Sequence, residues 1–485
     1  MTPRALLAAL GTMASLAAQA QPPAPPALPL VTLPLPAAVT EALTRAQVPL
    51  DSVSVIVREA GAKDALISHL PDKAMNPASV IKLVTTYAGL ELLGPAHTWK
   101  TDVLVAGDMR GGTLRGDLVL RGSGDPKLTV ERLWLLLKQL RERGLTTIRG
   151  DLILDKGSFE SQTHDPAKFD GEPLRAYNVG PDALLVNFKS VRFAFAPTVD
   201  NKSVAVSPDI KPAQLEIASR LRLIDGPCGD WRERVVLDVQ AASPTQLKVA
   251  FSGNYPRSCG EKIWNVSLLD HARFVGGVFA QLWRDVGGTW NGAVRLAAAP
   301  ADARLIATTE SPPLADVIRD INKYSNNVMA RQLFLTISAE VYREPASAAR
   351  STEAIRDWLS RKGIAAPELV LENGSGLSRS ERISAATLGQ LLDAAWRSSV
   401  MPEFVSSLSL LGVDGTFRRR VKGDPIAGQA HVKSGSLSDA RAIAGYVRDA
   451  QGRRWIVVML VNHTNAPLAQ AAQDALLGWV FSHPQ

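Results

Sequence analysis

The chain has 485 residues, 46% of them hydrophobic and 21% charged, and carries a formal net charge of +7. Such a length leaves room for two or three domains around a sizeable core. No nucleic-acid partner is expected, because the one dense basic run, Arg418-Arg419-Arg420 with Lys422, is short and has no interleaved aromatics. No membrane span is expected either, since the apolar run Ala5 to Ala17 is too short and no later stretch reaches about 18 apolar residues without a charge.

In chain order, Arg4, the small apolar run Ala5 to Ala17 and the tripeptide Ala18-Gln19-Ala20 read as an export signal cleaved near Ala20. A Pro/Ala/Leu-rich leader then runs to about Ala37 with no reason to fold. With no cysteine near the cleavage site to carry a lipid, the expectation is a soluble exported protein whose basic surface suits an anionic cell envelope.

Residues 36–50 pattern as a short amphipathic helix, Ser52 to Arg58 alternates as a strand, and Ala65-Leu66-Ile67 begins a second. A helix is predicted from Ser79 to Leu93, with Asn76 as N-cap, Pro77 at the first helical position and Gly94-Pro95 as the stop. From about Leu104 short glycine-punctuated strands take over. They are Thr113 to Leu120, the turn Gly122-Ser123-Gly124-Asp125-Pro126, a helix near 128–143 and a strand Gly150 to Leu154.

Residues 190–260 read as a small all-β module. It holds Cys228 and Cys259, which in an exported chain are expected to form a disulfide closing a loop of about 30 residues. The alternative is two buried free thiols. Two isolated cysteines lack the paired spacing of a zinc site, the histidines show no H-E-x-x-H, and no metal or cofactor is expected. Asp270 to Gly287 is a helix, Leu296 to Thr308 a connector, and helical patterning resumes over Leu314–Leu335 and 350–363. At the end come a strand Ala440 to Arg448, a turn, a strand Trp455 to Asn462 and a helix over 466–482 that packs on the sheet it follows.

Three short motifs carry chemistry. In Ser79-Val80-Ile81-Lys82 a serine and a lysine lie one helical turn apart on one face. Serine is a weak nucleophile that needs a base within hydrogen-bond reach, and lysine serves only if burial or a neighbouring cation lowers its pKa. The apolar neighbours Val80, Ile81, Leu83 and Val84, together with Lys433, supply both conditions. The Ser79 backbone N–H is a candidate oxyanion donor.

Ser325-Asn326-Asn327 offers a hydroxyl to relay a proton to a leaving amine, and the Asn327 amide to hold a substrate backbone. Lys433-Ser434-Gly435-Ser436 offers a lysine and a hydroxyl for a substrate carboxylate. Its Gly435 permits close backbone approach, and the Ser436 N–H is a second oxyanion donor. Each alone has an ordinary explanation: an amphipathic helix, a polar loop, a turn before a strand. No G-x-S-x-G elbow competes with them, and Asp125 reads as a turn residue rather than a catalytic acid.

Together, in this order, the motifs resemble those of the class C low-molecular-mass penicillin-binding proteins, the D-alanyl-D-alanine carboxypeptidase/endopeptidase family. The resemblance extends through Gly122 to Pro126, Tyr177 to Phe188, Asn373-Gly374-Ser375-Gly376-Leu377-Ser378-Arg379 and Gly412 to Thr416. A separation of about 240 residues between Lys82 and Ser325 fits the same class.

The resemblance implies an α/β (α+β) transpeptidase/β-lactamase-like domain, an antiparallel sheet flanked by helices, interrupted by two inserted domains. The corresponding division is a signal at 1–20, a leader at 21–37, and the first part of the main domain at 38–104. An inserted α+β domain follows at 105–189, a mainly β module at 190–297, a return at 298–312, and the second part of the main domain at 313–485.

It also implies a periplasmic serine-type DD-peptidase that acts on peptidoglycan stem peptides through a Ser79 acyl-enzyme and binds β-lactams covalently. Lys82 would be the base, with Ser325, Asn327, Lys433 and Ser434 in the roles above. Asp155, near Phe159, and Arg379 would recognise the diaminopimelate side chain. Lys433-Ser434-Gly435 has Ser where the family usually has Thr, which keeps the hydroxyl, and Ser438 replaces a longer residue seen in some relatives, which leaves substrate preference open. Two rival readings remain: a β-lactamase, which needs a positioned glutamate that no motif supplies, and a non-catalytic envelope-binding protein of the same fold.

Overall fold

The structure, a computed structural model, describes residues 32–161, 163–243 and 245–483. The predicted export signal and most of the leader lie outside the described residues. At the centre is a six-stranded antiparallel sheet. Its order across the sheet is Ser409–Leu410, Ala430–Ser436, Ala440–Arg448, Arg454–Asn462, Val53–Glu59 and Ile67–His69.

The strand Arg454–Asn462 is apolar almost throughout because helices cover both faces of the sheet. Ile456, Val458 and Leu460 pack with helices Lys82–Leu93, Leu314–Lys323, Asn327–Tyr342, Ala348–Arg361 and Ala385–Trp396. Val457, Met459 and Val461 point the other way, toward helices Ala37–Arg45 and Gln470–Ser482. Among the described residues no helix is long and apolar enough to cross a membrane.

Between Lys82 and Ser325 the chain leaves this sheet and returns. Strands Lys100–Arg110, Thr113–Gly122, Thr147–Ile148, Leu152–Asp155, Thr289–Trp290, Val294–Leu296 and Arg304–Glu310 form a second sheet. Residues 191–266 add two three-stranded sheets. These segments share one apolar core, in which Leu118, Leu137, Phe193, Phe251 and Phe279 pack together. Cys228 and Cys259 form a disulfide with Cα atoms 4.8 Å apart.

Four local expectations are corrected. The tail of the leader does fold: the Leu33 N–H donates to the Leu66 carbonyl at 2.8 Å, and Leu33 and Leu35 pack on the sheet core. The connector predicted at Leu296 to Thr308 runs into the strand Arg304–Glu310, an edge strand paired with Lys100–Arg110 whose largely exposed side chains hide the strand pattern. The helical pattern over Leu314–Leu335 is two helices broken at Tyr324–Asn326. The lysine motif at 433 lies inside a strand, Ala430–Ser436, rather than before one.

Candidate active site

The predicted helix from Ser79 begins as a 3-10 turn, Ala78–Ile81, and becomes α-helical only at Lys82. At three residues per turn, side chains i and i+3 eclipse, and this sets Lys82 directly over Ser79. Asn76 caps this turn rather than the α-helix: its Oδ1 accepts the Ala78 N–H at 2.9 Å, and its Nδ2 donates to the Ser378 carbonyl at 3.0 Å. Asn462 pins the Asn76 backbone from the central sheet, accepting its N–H at 2.7 Å and donating to its carbonyl at 2.9 Å.

Ala78 takes a left-handed φ of 46°, an uncommon conformation for a residue with a Cβ. Two glycines leave space for it. A methyl on Gly435 would fall 2.4 Å from the Pro77 carbonyl oxygen, and one on Gly376 would fall 2.1 Å from that of Ala78. The turn that carries Ser79 is therefore clamped between the strand Ala430–Ser436 and the loop that follows Asn373.

Lys82 is fully buried. Its Nζ lies 2.9 Å from Ser79 Oγ and 2.7 Å from Asn327 Oδ1, and it also donates to the Ser375 carbonyl. Burial holds its pKa well below the usual lysine range; the charges of Lys433 and Arg331 push the same way, while Glu381 opposes. Of the three oxygens around Nζ, the Asn327 amide oxygen and the Ser375 carbonyl only accept. A neutral amine has two N–H groups and one lone pair. With both N–H groups given to those two acceptors, the lone pair is left facing the Ser79 hydroxyl.

The SNN break places the other pair. Ser325 sits at a left-handed φ of 55°, and Asn326 caps the next helix by accepting the Met329 N–H at 3.1 Å. Ser325 Oγ accepts from Lys433 Nζ at 2.9 Å, and Lys433 also donates to the Ser434 carbonyl at 2.7 Å. Burial brings Lys433 down to about 7. Ser434 Oγ lies 2.9 Å from Thr416 Oγ1, a partner that sequence reasoning quoted within Gly412 to Thr416 without a role. Asp414 in the same string anchors Lys323 at 2.5 Å, just ahead of Ser325. Ser436 ends its strand exposed, its hydroxyl accepting from Arg441 at 2.6 Å.

Two cavities flank these residues. One of about 460 Å³ opens on Ser325 and Asn327 and extends past Tyr324 and Tyr177 toward Arg192. The other, about 700 Å³, is lined by Lys168, Phe169, Glu372, Asn373 and Arg379, among others. Arg379 sits on its rim, stacked 4.6 Å over Phe169 and bonded to Asp439 at 2.9 Å and Ser438 at 3.2 Å.

Asp155 and Phe159 line neither cavity. The Asp155 carboxylate is buried and accepts the Gly157 and Ala299 N–H groups, each at 3.0 Å, tying the return segment to its strand. Phe159 packs against Gly124 in the core. The acids that do line the larger cavity are Asp165 and Glu372, which sequence reasoning passed over. Asp125 forms a turn, accepting the Lys127 N–H at 2.7 Å, and burial pushes its carboxyl up to about 6.

Comparison with known proteins agrees over almost the whole length. The sequence profile of the D-Ala-D-Ala carboxypeptidase 3 (S13) family matches residues 35–482. The D-alanyl-D-alanine carboxypeptidase DacB of Haemophilus influenzae is 26% identical, with 85% of each chain covered. The D-alanyl-D-alanine carboxypeptidase of Actinomadura sp. (strain R39) is 28% identical, covering 87% of this chain and 80% of that one. Among solved structures, penicillin binding protein 4 from Haemophilus influenzae superposes with a TM-score of 0.74 at 24% identity, covering 92% of this chain and 99% of the other.

Proposed function

The chain belongs to the D-Ala-D-Ala carboxypeptidase 3 (S13) family of serine-type DD-peptidases, and from that premise we propose the roles of its residues and its substrate. Ser79 Oγ attacks the carbonyl carbon between the two terminal D-alanines of a peptidoglycan stem peptide, and its proton passes to Lys82 Nζ. The Ser79 and Ser436 N–H groups take the developing oxyanion. As the C–N bond breaks, the proton held by Lys82 is relayed through the Ser325 hydroxyl, which Lys433 orients, to the leaving amine. Water then hydrolyses the ester: Lys82, neutral again, takes a proton from the attacking water and returns it to Ser79 Oγ. Lys433, Ser434 and Thr416 receive the substrate carboxylate beside Gly435, Asn327 holds the peptide backbone, and Arg379 meets the stem's side chain at the larger cavity. β-Lactams enter the same steps as far as the acyl-enzyme and stay. The setting is the periplasm.

One observation carries this reading: the buried Lys82 amine lies between two acceptor-only oxygens and the Ser79 hydroxyl. Cleavage of D-Ala–diaminopimelate cross-links by the same steps would be the endopeptidase activity of the site. Intact-mass measurement after incubation with benzylpenicillin tests the whole scheme. A long-lived adduct on the wild type, and neither adduct nor D-alanine release from Ser79→Ala, is the expected result. An adduct that vanishes rapidly would instead make the protein a β-lactamase, and a wild type that never labels would make it a binding protein.

A further inference from the structure

Lys82 acts as a base only if its lone pair faces Ser79, and one of the two acceptors that set this direction is a main-chain carbonyl, that of Ser375. A carbonyl cannot hold itself in place. The segment that carries it, Glu372 to Gly376, turns sharply, with Gly374 at φ 66° and Gly376 at φ 82°.

A single side chain organises the start of that turn. Glu381 is completely buried, and its Oε1 accepts three consecutive backbone N–H groups: Glu372 at 3.3 Å, Asn373 at 3.1 Å and Gly374 at 2.9 Å. From there the turn is passed forward in two bonds. Thr85, on the helix that carries Lys82, donates to the Gly374 carbonyl at 2.7 Å, and Asn373 Oδ1 accepts the Ser375 N–H at 3.0 Å.

A buried carboxyl is an expensive way to hold three amides unless its charge or geometry is used. Burial raises the pKa of Glu381, and the three N–H groups and Lys82 oppose that rise. The charged groups felt at Lys82 are Lys433, Arg331 and Glu381, and Glu381 is the one negative charge among them.

We propose that Glu381 is a positioning residue for the Lys82 base: it fixes the turn that presents the Ser375 carbonyl, and so decides where the Lys82 lone pair points. It touches neither Ser79 nor substrate in this reading. The inference rests on the assignment of Ser79 and Lys82 above, and the wild type tests that assignment first: if benzylpenicillin does not label Ser79, both fall together.

With labelling established, the measurement is the acylation rate per labelled site across pH, together with kcat and KM for D-alanine release, in the full-length chain carrying Glu381→Ala or Glu381→Gln. Removing all three acceptor bonds in Glu381→Ala lets the carbonyl shift, and a misplacement of about 1 Å slows acylation on the order of 100-fold, in kcat with KM unchanged. Glutamine keeps an acceptor at the Oε1 position, so Glu381→Gln recovers most of the rate. It also moves the acid limb of the profile to lower pH, because the negative charge that favoured protonated Lys82 is gone. A merely structural role predicts fewer labelled sites with unchanged rate per site and an unmoved limb. Wild-type rate per site in Glu381→Ala, a loss confined to KM, or Glu381→Gln as slow as the alanine variant overturns the proposal. Should Glu381→Ala fail to fold, Glu381→Met, close in volume but without the acceptor, takes its place, and a wild-type rate per site in that variant overturns the proposal.

Discussion

Gly376→Ala is the smallest change that reaches the nucleophile without touching a reactive side chain. A methyl built there falls 2.1 Å from the Ala78 carbonyl oxygen and 2.6 Å from the Ser79 nitrogen, both backbone atoms that no rotamer change can move aside. Ordinary contact begins at 3.4 Å, so the nucleophile turn must retreat by about 1 Å or the loop must open by the same amount. Either movement separates Ser79 from Lys82 or the Ser375 carbonyl from Nζ, and a shift of that size costs about 100-fold in rate. Holding alanine at φ 82° adds about 1–2 kcal/mol of backbone strain to the folded state. The assay is stopped-flow acylation by a chromogenic β-lactam, normalised to titrated sites, with thermal unfolding measured alongside. Gly478→Ala is the control: nothing lies within 4 Å of its added methyl, it sits within the helix Gln470–Ser482, and it should raise stability by about 0.5–1 kcal/mol with no effect on acylation. If Gly376→Ala acylates within error of the wild type, the clamp on the Ser79 turn is not what positions the nucleophile.

Arg379→Ala should raise KM for stem peptides bearing a free diamino-acid terminus and leave benzylpenicillin acylation unchanged; an equal loss on both substrates would place Arg379 in the chemistry instead. Replacing Cys228 and Cys259 with serine should lower unfolding stability by about 3–4 kcal/mol, the chain-entropy value for a separation of 31 residues, while acylation at 25 °C is retained. Calorimetry of the double variant checks this, and an unchanged unfolding temperature would refute it. His271, buried 3.6 Å from Asp182, has its pKa lowered from 6.5 to about 4 by burial, so the unfolded chain binds the extra proton first. Stability should therefore fall as pH drops from 6.5 toward 4, by up to about 3 kcal/mol from this group, and His271→Gln should remove that part of the slope in chemical denaturation.

What was legible in the sequence was whatever depends on side-chain identity at fixed spacing. Ser79 and Lys82 are three apart, so local chemistry specifies the pair, whereas the break at Tyr324–Asn326 lies inside a helical pattern that runs on past it. The apolar run from Trp455 to Val461 likewise announces a strand covered on both faces. Contributions made by the main chain carry no such mark. The Ser375 carbonyl is an acceptor in any residue, and only the fold brings it to Lys82. Asp155 shows a related limit: an acid at a strand end reads the same whether it faces a ligand or accepts two backbone N–H groups, and in the structure it accepts those of Gly157 and Ala299. Thr416 was visible within a characteristic string, but its meeting with Ser434 depends on an 18-residue excursion that no local pattern encodes.

The long insertion also takes part in the site. The helix Asn327–Tyr342 is buried continuously from Asn327 to Ser338, which an amphipathic surface helix would not be. One side packs on the helix that bears Lys82, through contacts such as that of Leu333 with Gly89. The other is held by the inserted segment. Gln332 accepts the Asp182 N–H at 2.9 Å and donates to the Gly124 and Asp182 carbonyls at 3.0 and 2.8 Å, and Arg331 donates to the Val179 carbonyl at 2.8 Å. Asn327, whose amide oxygen aligns Lys82, stands at the N-terminal end of this helix, four and five residues from those anchors. Closing so long an excursion costs little more entropy than closing a short one, because the penalty grows only logarithmically with length. The strings Gly122 to Pro126 and Tyr177 to Phe188 are thus the docking edge of the insertion, and they hold the Asn327 helix against Lys82 from outside the central sheet.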